Sequence, residues 1–363
     1  MKTVAVFFGG RSNEHEISII TGMFAVNLLK DDYDVLPVYL PKEGGMALFK
    51  GSGVEQFRAP DPARFVPVVI EGQELLNIKK HKKVAKIDCA LNCCHGGAGE
   101  DGTLSALLTW NKILSASPAA PVSALFMNKE YSQIAARGLE IPVARSFCVR
   151  EGEEEGAEKR AEEIGYPVIV KPSRLGSSIG VKVAENKEEL SRALALAFTL
   201  DDSALVEEYF KEKRDINCAA YRRDGQIVLS PLEEVFSDGK ILSFEEKYEG
   251  AGTRQSCIPA PLSPSLEEEI KEYTRRIYDT FQIRGVVRAD FLVAGDRAYF
   301  NELNTVPGSL SCYLFGKSLT DARTFLKGLI EEALTHRTVE KGTVTTGILD
   351  QSVFSGAKGC KRR

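Results

Sequence analysis

The sequence predicts a three-domain chain of α/β and α+β type, with a parallel-sheet domain at the N-terminus followed by two α+β modules. Three observations lead there. The chain's 363 residues suit two or three domains at about 150 residues each. Strand and helix signals alternate through the first third, the pattern of a parallel sheet covered on both faces. Beyond it, short strands joined by Gly/Asp turns alternate with charged helices. The expected units are an N-terminal domain over 1–122, a central module over 123–212, a C-terminal module over 213–340 and a flexible tail over 341–363.

Thr3–Phe8 is a β-rich apolar run halted by Gly9-Gly10. Asn13 and Glu16 have capping-box spacing, so a helix carrying apolar Ile17, Ile20, Phe24 and Leu28 should follow. Val35–Leu40 and Ile87–Asn92 read as strands, and Thr103–Leu114 as a helix ended by the Ser/Pro/Ala stretch 115–121. The central module opens with a helix over Asn128–Arg137, stopped by Gly138. Strands are expected at Ser146–Val149, Val168–Lys171 and Ala204–Tyr209, and a Glu/Lys-rich helix over 154–164. Asn186 and Glu189 repeat the capping-box spacing before an Ala/Leu helix to about 199. In the C-terminal module Asp224-Gly225, Asp238-Gly239 and Gly295-Asp296 are turn signals. Ser263-Pro264 starts a helix with proline at its favoured first position, and a last helix covers about 319–336.

Composition excludes several classes. With 43% hydrophobic and 27% charged residues, a core of this size needs neither disulfides nor a structural metal. The 47 basic and 51 acidic side chains leave a net charge of −4, against a general nucleic-acid binder. No run approaches the roughly 20 apolar residues of a membrane span. The opening T-V-A-V-F-F-G-G is too short for a secretory apolar region, so the cytoplasm is the expected compartment. The eight cysteines include no C-x-x-C pair, and His15, His81, His95 and His336 do not cluster with them; buried thiols are expected rather than a zinc site. Lys79-Lys80-His81-Lys82-Lys83 reads as a solvated turn, Trp110 as a packing residue, and His336 as a residue meeting a helix C-terminus.

Four segments carry chemistry. In V-I-V-K-P-S-R-L-G-S-S-I-G-V (168–181) a strand ends in Lys171, and a Gly/Ser loop follows whose amides can close over phosphate oxygens. In R-A-D-F-L-V-A-G-D-R-A-Y-F-N-E-L-N (288–304) a three-residue turn at 295–297 sets Asp290 opposite Glu302 and Arg288 opposite Asn304 on one sheet face. Two carboxylates and an amide oxygen there suit a hard cation such as Mg²⁺. H-G-G-A-G-E-D-G (95–102) follows a strand, where ligands of parallel sheets sit. G-G-R-S-N-E-H-E-I-S (9–18) places Glu14 at a helix start facing the same crevice.

In this order the four segments resemble the D-alanine–D-alanine ligases, ATP-grasp enzymes of peptidoglycan precursor synthesis, over about residues 3–335. The resemblance implies the ATP-grasp fold, with ATP between the central and C-terminal domains. It implies two Mg²⁺ ions, for which Mn²⁺ can stand in, D-alanine as substrate and a homodimer. ATP would phosphorylate the carboxylate of one D-alanine, and the amine of a second would displace phosphate from the acylphosphate.

Carried onto this chain, the resemblance puts Lys129, in M-N-K, and Lys171 on nucleotide phosphates, and Ser177, Ser178 and Gly180 in the phosphate loop. It puts Glu207 and Phe210 of L-V-E-E-Y-F beside adenine, and Asp215 in place of a ribose-binding glutamate. Asp290, Glu302 and Asn304 become metal ligands, and Arg288 with the Gly308 amide stabilises the oxyanion. Glu14 would hold the ammonium of the first D-alanine, with His95 near its carboxylate. Lys247 and Tyr248 would lie on a closing loop, Tyr248 joining Glu14 and Ser177 to exclude water. In P-G-S-L-S-C-Y-L-F (307–315), Tyr313 takes the place of a serine that in the family contacts the second D-alanine, and the neighbouring Leu314 is kept. Cys312 beside them is read as an unreactive thiol. Tyr248 favours an amine nucleophile. Two other readings stand beside this one: a ligase with a different second D-amino acid, such as D-serine, prompted by Tyr313, and a catalytically silent nucleotide-binding regulator. The set Lys171, Arg288, Asp290, Glu302 and Asn304 argues against the regulator.

Overall fold

The computed structural model describes residues 1–236 and 256–335. The expectations for Asp238-Gly239, Lys247, Tyr248, His336 and the tail from 341 lie outside the described residues.

Three sheets form the frame. The first holds β1 (Thr3–Gly9), β2 (Asp34–Leu40), β3 (Met46–Phe49), β4 (Phe65–Glu71), β5 (Glu74–Asn77), β6 (Lys82–Lys86), β7 (Cys89–Asn92) and β8 (Leu114–Ser115), in the order β6-β5-β4-β3-β2-β1-β7-β8. Strands β2, β1, β7 and β8 are parallel, as the alternation of elements predicts. Val4–Phe8 are fully buried, the mark of a parallel strand covered on both faces. Strands β3 to β6 extend the sheet antiparallel. The sequence analysis did not foresee this half, whose strands are short and partly exposed. The Lys79–Lys83 run lies at the solvent-exposed β5–β6 connection.

The central sheet is antiparallel: β9 (Ser146–Arg150), β10 (Val168–Pro172), β11 (Lys182–Ala184) and β12 (Ser203–Glu208), ordered β11-β10-β12-β9. Helices Ala157–Ile164 and Lys187–Phe198 cover it, burying Ala161, Leu190 and Leu194 against Val168, Val170 and Val206. Asn186 caps the second helix as expected. Its side chain accepts from the Glu189 amide at 3.0 Å, and Glu189 accepts from the Glu185 amide at 3.0 Å.

The third sheet holds β13 (Arg214–Arg223), β14 (Gln226–Leu229), β15 (Glu233–Val235), β16 (Ser256–Cys257), β17 (Val287–Ala294) and β18 (Arg297–Asn304), ordered β16-β15-β13-β17-β18 with β14 also on β13. Asp224-Gly225 makes a two-residue turn with φ of 50° and 76°. Helix Pro264–Thr280 packs on this sheet, and so do helices Ala120–Met127 and Lys129–Gly138, whose Phe126 and Ala136 share a core with Phe291 and Phe300. Helix Leu319–Thr335 reaches the first domain. Leu326, Leu329 and Ile330 share a core with Val4, Met23 and Leu29, and Arg323 and Lys327 donate to Asp32 at 2.6 and 2.9 Å.

Four local expectations are corrected. The first helix, His15–Leu29, starts after Glu14, with no side-chain cap; Glu16 pairs with Lys42 at 2.8 Å instead of closing a capping box. Its buried stripe is Ile19, Met23, Val26 and Leu29, while Ile20 is 54% exposed, because the helix is gripped between β1 and helix Leu319–Thr335. The next predicted helix runs Thr103–Trp110 and stops short of Leu114: Lys112 takes a left-handed φ of 59°, and Leu114–Ser115 joins the sheet. Trp110 does not pack and is 86% exposed.

Candidate active site

The β17–β18 hairpin sets Arg288 opposite Asn304 and Asp290 opposite Glu302. The sequence predicts these pairs, but the route differs. The turn has two residues, with Ala294 facing Arg297, and a bulge between Phe300 and Glu302 restores the count. A bulge lets two successive side chains share a face, and both Asn301 and Glu302 line the cleft. The row continues across the sheet, with Asn217 opposite Asp290 and Glu233 opposite Asn217. Arg288 donates to both Asp290 oxygens at 2.7 and 2.8 Å, and Asn304 donates to one at 3.0 Å. Burial opposes the Arg288 charge, but the adjacent Asp290 carboxylate outweighs it and holds the guanidinium well above its ordinary range. Among the described residues no group of three or more His, Cys, Asp and Glu is arranged to hold a metal. The donors on offer are the Asp290 and Glu302 carboxylates and the Asn304 amide, an all-oxygen set that fits a hard cation.

The central domain supplies cations. Lys171, at the end of β10, pairs with Glu207 and donates to the Asn301 amide oxygen at 3.0 Å. Gln133 donates to the other Glu207 oxygen. Lys129 donates to the Leu175 carbonyl and lies 4.0 Å from Glu302; burial lowers its pKa, with Glu302 opposing. The loop after β10 turns through Ser177 and Ser178 at φ of 54° and 58°, and the Ser177 hydroxyl donates to Glu14. Phe210 lies 4.8 Å, centroid to centroid, from Tyr299. Asp215 accepts from Lys213 at 2.6 Å.

The N-terminal domain closes the opposite wall. His95 sits beyond β7, its Nδ1 2.8 Å from the Val306 carbonyl and its Nε2 2.9 Å from the Thr21 hydroxyl. Burial lowers its pKa. Glu100, which the sequence analysis did not single out, accepts from the amides of Gly96 at 2.9 Å and Val306 at 3.1 Å. Burial, aided by the Glu14 charge, pushes its carboxyl up to about 7. A glutamate between glycines in H-G-G-A-G-E-D-G was the available signal. Glu233 was also missed; it is the first of two successive glutamates that open β15, and both are buried.

The three walls enclose a cleft of about 430 Å³. It brings together Glu14, His95, Lys129, Lys171, Ser177, Ser178, Glu207, Phe210, Asp215, Arg288, Asp290, Glu302, Asn304, Gly308 and Tyr313. Two residues named with them stand back. Leu314 is 3% exposed inside the core. Gly180, at φ 74°, packs under Leu200 and Pro172, which leave no room for a side chain. Cys312 is buried too, and burial pushes its thiol up to about 12, leaving it inert as a nucleophile.

Residues 3–115 match the family model of the D-ala D-ala ligase N-terminus, and residues 136–335 that of the D-ala D-ala ligase C-terminus. The chain is 33% identical to the D-alanine–D-alanine ligase of Thermosipho melanesiensis, over 88% of this chain and 90% of that protein. The chain belongs to the D-alanine–D-alanine ligase family. Among solved members, the crystal structure of the Helicobacter pylori D-alanine–D-alanine ligase superposes with a TM-score of 0.78 at 31% identity, covering 91% of this chain and 99% of that one. The VanG D-Ala:D-Ser ligase of Enterococcus faecalis matches with the same TM-score at 28% identity, over 91% and 99%. The three sheets are thus those of a D-alanine–D-alanine ligase, and the ATP-grasp fold expected from the sequence is the fold observed.

Proposed function

We propose that the chain is an ATP-dependent ligase joining two D-alanines into D-alanyl-D-alanine for peptidoglycan synthesis. The observation that carries this reading is the meeting of three walls: Lys129 and Lys171 on one, Arg288 with Asp290, Glu302 and Asn304 on the second, and Glu14 with His95 on the third. Asp290, Glu302 and Asn304 would hold two Mg²⁺ ions, with Mn²⁺ as a substitute; the metal supplies neutralisation of phosphate charge.

The side chains divide the remaining work. Lys129 and Lys171 hold nucleotide phosphates, Lys171 exchanging part of its contact with Glu207 and Asn301 for phosphate oxygens. Phe210 and Glu207 meet the base, and Asp215 the ribose. Glu14, oriented by Ser177, holds the first D-alanine by its ammonium. His95, held by Thr21 and Val306, lies near the carboxylate that receives the phosphoryl group. Arg288 and the Gly308 amide face the oxygen where negative charge develops as the second amine attacks. The assembly is proposed to be a homodimer in the cytoplasm; no helix among the described residues is long and apolar enough to cross a membrane.

The test is ATP-dependent phosphate release with D-alanine, with the product identified by mass spectrometry. D-alanyl-D-alanine is expected. Release only when D-serine is added would transfer the acceptor assignment, and no release with any D-amino acid would overturn the ligase reading.

A further inference from the structure

His95 lines the cleft, yet its carbonyl and both ring nitrogens are engaged by the protein itself. The carbonyl accepts from the Ser12 hydroxyl at 2.6 Å. Nδ1 lies 2.8 Å from the Val306 carbonyl, and Nε2 lies 2.9 Å from the Thr21 hydroxyl. A carbonyl oxygen only accepts, so Nδ1 carries a proton. Burial is the largest influence on the ring and disfavours its charge; Arg288 acts in the same direction and Glu14 against it. At neutral pH the imidazole is therefore uncharged and holds a single proton. Nε2 is then a bare lone pair, and Thr21 is the donor. Thr109, Thr274 and Thr324, also in helices, donate to the carbonyl four residues back. Thr21 turns its hydroxyl to His95 instead. It is 2% exposed and is not among the residues that line the cleft. With its one ring proton on Val306, His95 has no ring N–H left for a ligand.

We propose that Thr21 is a positioning residue for the first chemical step: its hydroxyl holds His95 as the Nδ1–H imidazole, so that the ring faces the substrate carboxylate with neither a charge nor a spare N–H. The inference rests on the ligase reading and deepens it. In that step a carboxylate oxygen of D-alanine forms a bond to the γ-phosphorus of ATP while the bond from that phosphorus to ADP breaks. Negative charge on the attacking oxygen falls as the new bond forms. An imidazolium or an N–H aimed at that oxygen would stabilise it more before the attack than during it, and would raise the barrier. A locked neutral ring shapes the wall and leaves the nucleophile its charge.

The test is ¹⁵N NMR of the full chain labelled at histidine, with the His95 signals identified by their loss in His95→Gln, together with trapping of the acylphosphate by hydroxylamine as the hydroxamate. At neutral pH the parent is expected to show a protonated Nδ1 and an unprotonated Nε2 that accepts a hydrogen bond. Thr21→Val, close to threonine in shape, should move the Nε2 resonance to its unbonded position. It should also lower hydroxamate formation at saturating D-alanine at least fivefold, while the KM of the first D-alanine stays within twofold or falls. A wall that was merely loosened would raise that KM instead. Thr21→Ser, which keeps the hydroxyl, should restore both the resonance and the rate. A proton on Nε2 in the parent overturns the proposal, whether or not Thr21→Val folds. Hydroxamate formation within twofold of the parent in Thr21→Val, or a raised KM with an unchanged rate, overturns it as well. A parent that releases no phosphate with D-alanine overturns the ligase reading, and the NMR spectrum, which needs no turnover, tells the two failures apart.

Discussion

Glu100 is a carboxyl whose charge is opposed by its surroundings, while two amides, from Gly96 and Val306, favour it. Burial dominates, and the group titrates near 7 rather than at its usual 4.5. The raised value fixes the sign of its effect on folding. Its contribution is complete below pH 4.5, where both states hold the proton, and is lost as pH rises through 7. The loss is on the order of 3 kcal/mol. Glu100→Gln carries no such dependence, so its stability relative to the parent should climb by about that amount between pH 4.5 and 8. Denaturant unfolding at a series of pH values checks this, and a constant difference would reject the raised carboxyl. At Glu302 the expectation concerns turnover. Glu302→Gln removes one charged oxygen from the proposed metal set and should cut kcat by about 100-fold or more while the fold is kept. A near-parental rate at saturating Mg²⁺ would remove Glu302 from that set.

The β17–β18 hairpin shows what an element adds to its residues. Counting from an assumed three-residue turn gives the right pairs, Asp290 with Glu302 and Arg288 with Asn304, because a shorter turn and a bulge add up to the same offset. Sequence periodicity cannot tell these routes apart, yet only the bulge places Asn301 beside Glu302 in the cleft. Deleting Asn301 should keep Glu302 opposite Asp290 in a regular ladder and remove the Lys171 contact alone. The expected result is a rise of about tenfold in the KM for ATP, worth about 1.4 kcal/mol, with Mg²⁺ dependence unchanged. Steady-state titration of both would show it, and loss of all Mg²⁺-dependent turnover would mean that the bulge also sets the metal face. The motif-bearing loops were legible because Lys171 with Ser177, and His95 with its glycines, lie within short contiguous segments, although Glu100 in the second segment was not singled out. The hydrogen-bonded pair Tyr313 and Glu233 was not legible, since 80 residues separate them and only the folded sheet brings them together. Nor was the buried face of the first helix, where apolar residues occur all round and the neighbours decide which are covered.

Across the whole molecule, the first and third domains share one apolar core, while the central sheet keeps its own. Leu326 is fully buried in the shared core. Leu326→Ala should cost about 2–5 kcal/mol and lower the hydrogen-exchange protection of β1 and of helix His15–Leu29, leaving β10 and β12 unaffected. Protection lost equally in all three sheets would mean that the chain opens as a single unit. The parallel half of the first sheet was readable from its alternating elements. Its dependence on a helix some 300 residues later was not, because an amphipathic helix does not announce its partner.

That shared core has a consequence for biosynthesis. Residues 4–33 leave the ribosome well before their core partners between 322 and 334 are made. This core is thus begun early and sealed only after helix Leu319–Thr335 is made. A nascent chain paused before residue 319, or one ended there by a premature stop codon, presents Val4, Met23 and Leu29 on an uncovered face, the kind of surface that recruits chaperones and seeds aggregation.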